Sequence, residues 1–178
     1  MLNSDSLQIQ PPPIQYGNRN EKKARKLYIR THKFQKGHVH AKVDVPGLVI
    51  SDDIPYLACS ADGVVRCPKC STYLIEVKCL WKHRKNWPKL AACQAGICAE
   101  KENGQLELKK NHPYFSQIQT QMAVYGLSRC VLVIYTDKGI CDIEVPFDSV
   151  WWEEAKSELD TFFRDYFYPL LHTVFATS

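Results

Sequence analysis

Residues 74–79 read LIEVKC, and these six letters carry two patterns at once. Leu74, Ile75 and Val77 belong in an interior strand, whereas Glu76 and Lys78 are charged and stand two apart. Side chains alternate between the faces of a strand, so Glu76 and Lys78 emerge together while Ile75 and Val77 point the other way. A solvated face does not usually sit in so apolar a strand, so an acid and a base placed side by side there need a reason.

Upstream the text is strand-like from His38 to Arg66. VHAKVDV, GLVI, YLACSA and VVR are short β-rich runs broken by Pro46-Gly47, Asp52-Asp53 and Asp62-Gly63. Asp62 closes one of these runs inside SADG, 14 residues before Glu76, with CPKCST as the turn between. If the two strands are neighbours in a hairpin, their ends bring two carboxylates and an amine to one place. Carboxylates with a backbone carbonyl suit a hard cation such as Mg²⁺. Such a cation polarises a phosphodiester and activates water, and a lysine beside it holds that water or takes its proton. Asp-Gly alone reads as a turn and Glu-x-Lys alone as a surface pair. Joined at this spacing in an interior strand, they favour a site.

Downstream, residues 81–111 show no clean period; they open on WKHRKNWPK and end on LKKNH. A helix is expected from Pro113 to about Tyr125, with proline at a first helical position. CVLVIYT reads as a buried strand with ICDIEVPF as its antiparallel partner across Asp137-Lys138-Gly139. A last helix starts near Asp148, its apolar stripe passing Trp151, Ala155, Leu159, Phe162 and Tyr166. At the other end, residues 1–15 read as an irregular arm kept extended by three prolines. GNRNEKKARKLYIRTH follows as a helix, with Asn18 as N-cap and Glu21 as its capping-box partner. The order gives an α/β (α+β) fold, a mixed sheet clasped by helices, as one domain over residues 16–178.

The composition is that of a globular protein, 45% hydrophobic and 24% charged. No apolar run approaches the roughly 20 residues that cross a bilayer. A net charge of +4 permits a nucleic-acid partner without arguing for one. Eight cysteines without a secretory signal read as reduced thiols in an intracellular protein, with nucleus and cytoplasm both open. Cys67 and Cys70 form half a structural zinc site, and Cys93 and Cys98 are candidates for the other half. Against that stands the simpler reading of free thiols at a hairpin tip. His38 and His40 could ligate a metal, though ordinary strand residues are the plainer reading.

On the helix after Pro113, Tyr114, Gln117, Gln121 and Tyr125 fall along one side, and Gln119 falls among Phe115, Met122 and Gly126. A buried glutamine needs a partner, and a water or phosphate at a metal centre would serve. Gln119 is therefore expected as the active-site glutamine, with Gln117 second; the rival reading is a core glutamine satisfied by backbone.

CSADG followed by IEVK resembles the PD-(D/E)xK nuclease signature, with Ala61 where the motif has proline. HPYFSQIQTQMAVYG resembles the tyrosine-and-glutamine helix of the YqaJ-like viral recombinase group that includes lambda exonuclease, and GNRNEKKARKLY its glycine-glutamate-alanine-tyrosine helix. GQLELKKNHPYF, IYT and the terminal aromatic helix fit as well, so the resemblance spans about residues 16 to 172. It implies a restriction-endonuclease-like core and a metal-dependent nuclease on double-stranded DNA ends, acting in recombination or in mobile-element or viral DNA processing. Asp62, Glu76 and the carbonyl of Val77 would hold Mg²⁺ or Mn²⁺, Lys78 would position or activate the attacking water, and Glu21 would complete a second metal site. Tyr114 on the resembling helix is a candidate to meet DNA. By its own letters WKHRKNWPK either grips phosphates through Lys82, Arg84 and Lys85 with its tryptophans stacked on frayed bases, or is a solvated basic loop with its tryptophans anchored in the core. The relatives' ring-shaped trimer implies a homo-oligomer. The family's arginine and serine for the terminal phosphate have no counterpart in residues 1–16, which leaves polarity and processivity open. An inactive DNA-binding or zinc-stabilised interaction domain, and a structure-specific endonuclease, are the alternatives on the same fold.

Overall fold

The computed structural model describes residues 10–35 and 37–175. Its first element, helix α1 (Pro12–Gln35), starts earlier than expected, so the prolines open a helix instead of extending an arm. A proline in the first turn has no N–H to leave unpaired, and the Pro11 carbonyl accepts from the N–H groups of Ile14 and Gln15. Asn18 and Glu21 consequently lie inside the helix, and the capping box is not formed; Asn18 Nδ2 donates back to Gln10 Oε1 instead. Residues 1–9 of the expected arm lie outside the described residues.

Strands β1 (Lys42–Asp44), β2 (Val49–Ile50), β3 (Ala58–Cys59), β4 (Gly63–Cys67) and β5 (Cys70–Cys79) follow. After them come helix α2 (Pro88–Gln94), strands β6 (Cys98–Glu100) and β7 (Leu106–Leu108), and helix α3 (Pro113–Tyr125). Strands β8 (Arg129–Thr136) and β9 (Gly139–Pro146) then precede helix α4 (Ser149–Phe162), a π-helical turn and helix α5 (Tyr168–Phe175). The central sheet runs β1-β4-β5-β8-β9, while β2–β3 and β6–β7 are separate two-stranded pairs. Every pairing in the central sheet is antiparallel except β5 with β8, which is parallel; the sheet is mixed, as expected. A parallel pair needs a long crossover, and residues 80–128 supply it with α2, the β6–β7 pair and α3.

LIEVKC lies at the end of β5, at the middle of the sheet, and both its faces are covered. Ile75 and Val77 pack with Tyr16, Ala24 and Tyr28 of α1 and with Val131, Val133 and Tyr135 of β8. Leu74 packs on the opposite face with Phe115, Ile118 and Met122 of α3 and Leu132 and Ile134 of β8. Burial on both sides explains why the strand reads as a continuous apolar run, interrupted only at Glu76 and Lys78. The β4–β5 register puts Gly63 opposite Ile75. A Cβ at Gly63 would stand 2.6 Å from Val43 Cγ1 and 3.0 Å from Ile75 Cγ1, so only glycine fits between the strands beside Asp62.

The last helix departs from its expected stripe. Trp152 is the buried tryptophan, whereas Phe162 and Tyr166 are 57% and 69% exposed. Among the described residues no helix is long and apolar enough to cross a membrane.

Candidate active site

Strand alternation places the Glu76 and Lys78 side chains on the α3 side of β5, away from α1. Glu76 is only 3% exposed and its carboxylate is fully engaged. Oε1 accepts from Gln117 Nε2 at 2.7 Å and from Lys78 Nζ at 2.7 Å, and Oε2 accepts from Gln121 Nε2 at 3.0 Å. Lys78 Nζ also donates to Gln117 Oε1 at 2.9 Å and stands 4.6 Å from the centre of the Tyr114 ring. The two charged residues of LIEVKC are thus clamped together by one stripe of α3.

Asp62 arrives from the start of β4, and its Oδ2 accepts from the Val77 N–H at 2.7 Å. Burial and then the neighbouring Glu76 raise its pKa to about 7 from the usual carboxylate range, with Glu21 adding to the effect. The Val77 N–H and the Lys78 ammonium oppose that rise without cancelling it. Arg25 fastens α1 to this corner: Nη1 donates to the Asp62 carbonyl at 2.7 Å and Nη2 to Glu21 Oε1 at 2.8 Å. Glu21, Asp62 and Glu76 thus share one corner with Arg25 and Lys78, although their carboxylate oxygens do not all lie within 4.8 Å of one another. A crowded acidic corner with hard oxygen donors and an underionised aspartate has the donor chemistry that Mg²⁺ or Mn²⁺ takes.

The structure separates the two glutamines in the opposite sense to the expectation. Gln117 joins the cluster, whereas Gln119 is fully buried and spent on backbone: Nε2 donates to the Pro146 carbonyl at 2.9 Å, and Oε1 accepts from the Asp148 N–H at 2.8 Å. Gln119 is the core glutamine of the rival reading. Gln121 was missed as a site residue, although its place one turn beyond Gln117 on the same stripe marked it. Its Nε2 also reaches the Ser60 carbonyl at 3.3 Å, and its buried Oε1 has no hydrogen-bond partner among the described residues. Arg25 was missed too; its only local signal is its place four residues after Glu21.

The basic segment after β5 divides. Arg84 lies on the Trp81 ring, 3.6 Å from its centre, and donates to the Trp81 carbonyl. Lys85 pairs with Asp137 at 3.2 Å. Lys82 is exposed, as is Trp87 at 68%, while Trp81 packs against Tyr16. Arg84 is thus held against the fold, whereas Lys82, Lys85 and Trp87 face outward, the Lys85–Asp137 pair being an exposed one. Cys93 and Cys98 lie with their sulfurs 3.7 Å apart, but they do not join Cys67 and Cys70, and no third metal-binding side chain gathers on them among the described residues.

Two solved structures of the same enzyme are similar to this chain. The alkaline exonuclease LHK-Exo of Laribacter hongkongensis matches with 25% identity and a TM-score of 0.64 over 88% of this chain and 69% of its own. Its complex with dAMP matches with 25% identity and a TM-score of 0.68 over 96% and 77%. No curated protein matches the sequence. The model of the YqaJ-like viral recombinase domain matches residues 4–128, which takes in α1, Asp62, Glu76, Lys78 and the whole of the glutamine helix. On that span and on this fold, the chain belongs to the YqaJ-like viral recombinase domain family.

Proposed function

We propose that this protein is a divalent-metal-dependent deoxyribonuclease that removes nucleotides from the ends of double-stranded DNA during recombination or the processing of mobile or viral DNA. The observation that carries the reading is the hydrogen-bonded cluster of Glu76, Lys78 and Gln117 at the middle of the sheet, with Asp62 tied to the same strand through the Val77 N–H. Asp62, Glu76 and the Val77 carbonyl would hold one Mg²⁺ or Mn²⁺, and Glu21, steadied by Arg25, would serve a second. When bound, such a cation withdraws charge from the scissile phosphate and makes a water more acidic. Lys78 holds the attacking water in line; Gln117 and Glu76 keep its ammonium in place through two short contacts. Gln117 and Gln121 fix the Glu76 carboxylate from both oxygens, so its orientation is set before substrate arrives. Tyr114, Lys82 and Trp87 meet the DNA, the tryptophan by stacking and the lysine through phosphate. Assembly into a ring of three copies accompanies this reading, and light scattering on the purified chain measures it.

The test is digestion of end-labelled linear double-stranded DNA with Mg²⁺ or Mn²⁺, beside a covalently closed circle, a chelator control and Lys78→Ala. Loss from the end, with the circle intact and both controls silent, supports the exonuclease. A cut circle makes the enzyme an endonuclease. Intact DNA with both metals and folded protein refutes the enzyme and leaves DNA binding on the same fold.

A further inference from the structure

The mechanism above leaves unused a group of four metal-binding side chains at the far end of α1. His32 is in the last turn of that helix, His38 in the segment that follows, and Cys67 and Cys70 pair across the tip of the β4–β5 hairpin. One donor atom from each lies within 4.8 Å of every other. We propose that His32, His38, Cys67 and Cys70 form a structural Zn²⁺ site that fastens the end of α1 to the catalytic hairpin.

The donor set and the spacing both fit. Two thiolates and two imidazoles make a complete tetrahedral shell for zinc, with Zn–S of about 2.3 Å and Zn–N of about 2.0 Å, so the ligand atoms would stand roughly 3.3–3.8 Å apart. In the structure His38 Nδ1 is 3.0 Å from Cys67 Sγ and 3.8 Å from Cys70 Sγ, and the two imidazoles stack with centres 4.2 Å apart. Shifts of under about 1 Å bring all four onto one centre, within what side-chain rotations supply.

The surroundings are built to hold these ligands. The Tyr73 hydroxyl lies 3.4 Å from His32 Nε2 and 2.9 Å from the Tyr28 hydroxyl, so a buried chain of polar groups orients the His32 ring. Second partners of this kind set the ring plane of ligating histidines. On the hairpin, the backbone N–H groups of Lys69 and Cys70 lie against the Cys67 sulfur, an arrangement that favours a thiolate. Lys69 Nζ donates to the Gly37 carbonyl, a second tie between the same two segments. A zinc here links residues far apart in the chain, and those two segments carry Glu21 and Arg25 on one side and Asp62 and Glu76 on the other. It thereby fixes α1 against the hairpin independently of any reaction at the carboxylates. The site does not rest on the nuclease reading, and its readouts need no DNA.

The experiment is metal analysis of the full chain purified without chelator, with far-UV circular dichroism to show that it is folded. About one zinc per chain is expected. Cys67→Ser with Cys70→Ser, and His38→Ala, should lose it, whereas Cys93→Ser with Cys98→Ser should keep it. Replacement by Co²⁺ should give the absorption of a tetrahedral ion with thiolate charge transfer, and removal of zinc should lower Tm by about 10 °C. Should the double serine variant fail to fold, zinc-edge X-ray absorption on the unaltered chain decides: a shell of two sulfurs and two nitrogens supports the site, and an oxygen shell overturns it. Folded chain lacking zinc overturns the proposal, as does zinc that survives Cys67→Ser with Cys70→Ser but is lost in Asp62→Asn. The last result would place the metal at the carboxylates.

Discussion

Replacing Asp62 by asparagine should stabilise the metal-free chain while removing a carboxylate proposed to hold the metal. Asparagine keeps the shape and can still accept from the Val77 N–H, but it carries no charge into a corner that already holds Glu76 and Glu21. The magnitude follows from the raised pKa of Asp62, about 7 in the fold, against about 3.9 for a free aspartate. At roughly 1.4 kcal/mol per pH unit the ceiling is about 4 kcal/mol, and solvent reaching this part-buried group reduces it to about 1–3 kcal/mol. For a domain of this size that is a gain of about 3–10 °C in Tm. Because the folded pKa lies above the unfolded one, the stability tied to this proton is fully present below about pH 4 and lost as pH rises through about 7. The advantage of the variant should therefore open between pH 4 and 7 and stay level above 8. Mg²⁺ should then raise the Tm of the unaltered chain and leave the variant unmoved. The assay is thermal melting from pH 4.5 to 8.5 in buffer free of Mg²⁺ and Mn²⁺, repeated with Mg²⁺. A variant no more stable than the parent at pH 8, or an advantage equally large at pH 4.5, would refute the reasoning.

Four further outcomes can be measured on single variants. Gln119→Ala removes the buried partner of the Asp148 N–H and the Pro146 carbonyl at the part-buried start of α4, so urea unfolding should show a loss of about 1–3 kcal/mol with activity per folded molecule unchanged. Gln117→Ala should do the reverse, leaving stability nearly intact and lowering DNA cleavage by about 10–100-fold through the freed Lys78 and Glu76. Gly63→Ala forces a methyl against Val43 and Ile75, and should cost about 1–3 kcal/mol while weakening Mg²⁺ binding in titration calorimetry, since Asp62 is its neighbour. Arg25→Ala removes two charged hydrogen bonds from a largely buried side chain, so a loss of about 1.5–3 kcal/mol is expected by the same unfolding assay.

Much of the site could be read from local pattern because its parts sit on adjacent strands. The period of two put Glu76 and Lys78 on one face, and a hairpin between SADG and LIEVKC brought Asp62 to them; both hold in the fold. The boundaries of α3, from Pro113 to Tyr125, were equally legible from its proline start and from Gly126 after it, which adopts the left-handed conformation at φ 62°. The β8–β9 hairpin, with β8 buried, followed from the apolar run of β8 and the turn at Asp137-Lys138-Gly139. These features depend on neighbours a few residues away, and short-range geometry determines them.

Other features were decided by which surface each element meets. The helix wheel separated Gln117 and Gln121 from Gln119 but could not tell which side faces Glu76 and which faces Pro146. A wheel has no outside until the helix is docked. The prolines at 11–13 permit either an extended arm or a helix start, and the packing of Tyr16, Ala24 and Tyr28 on the sheet decides for the helix. Cys67 and Cys70 announced half a metal site from their spacing alone. The histidines that stand beside them in the fold, His32 and His38, lie some 30 residues upstream, where no local period points to a cysteine, whereas Cys93 and Cys98 are nearer in the sequence and lie elsewhere. Spacing along the chain determines what a strand or a turn offers, whereas the docking of α1 on the sheet, driven by buried apolar surface, determines which of those offers meet.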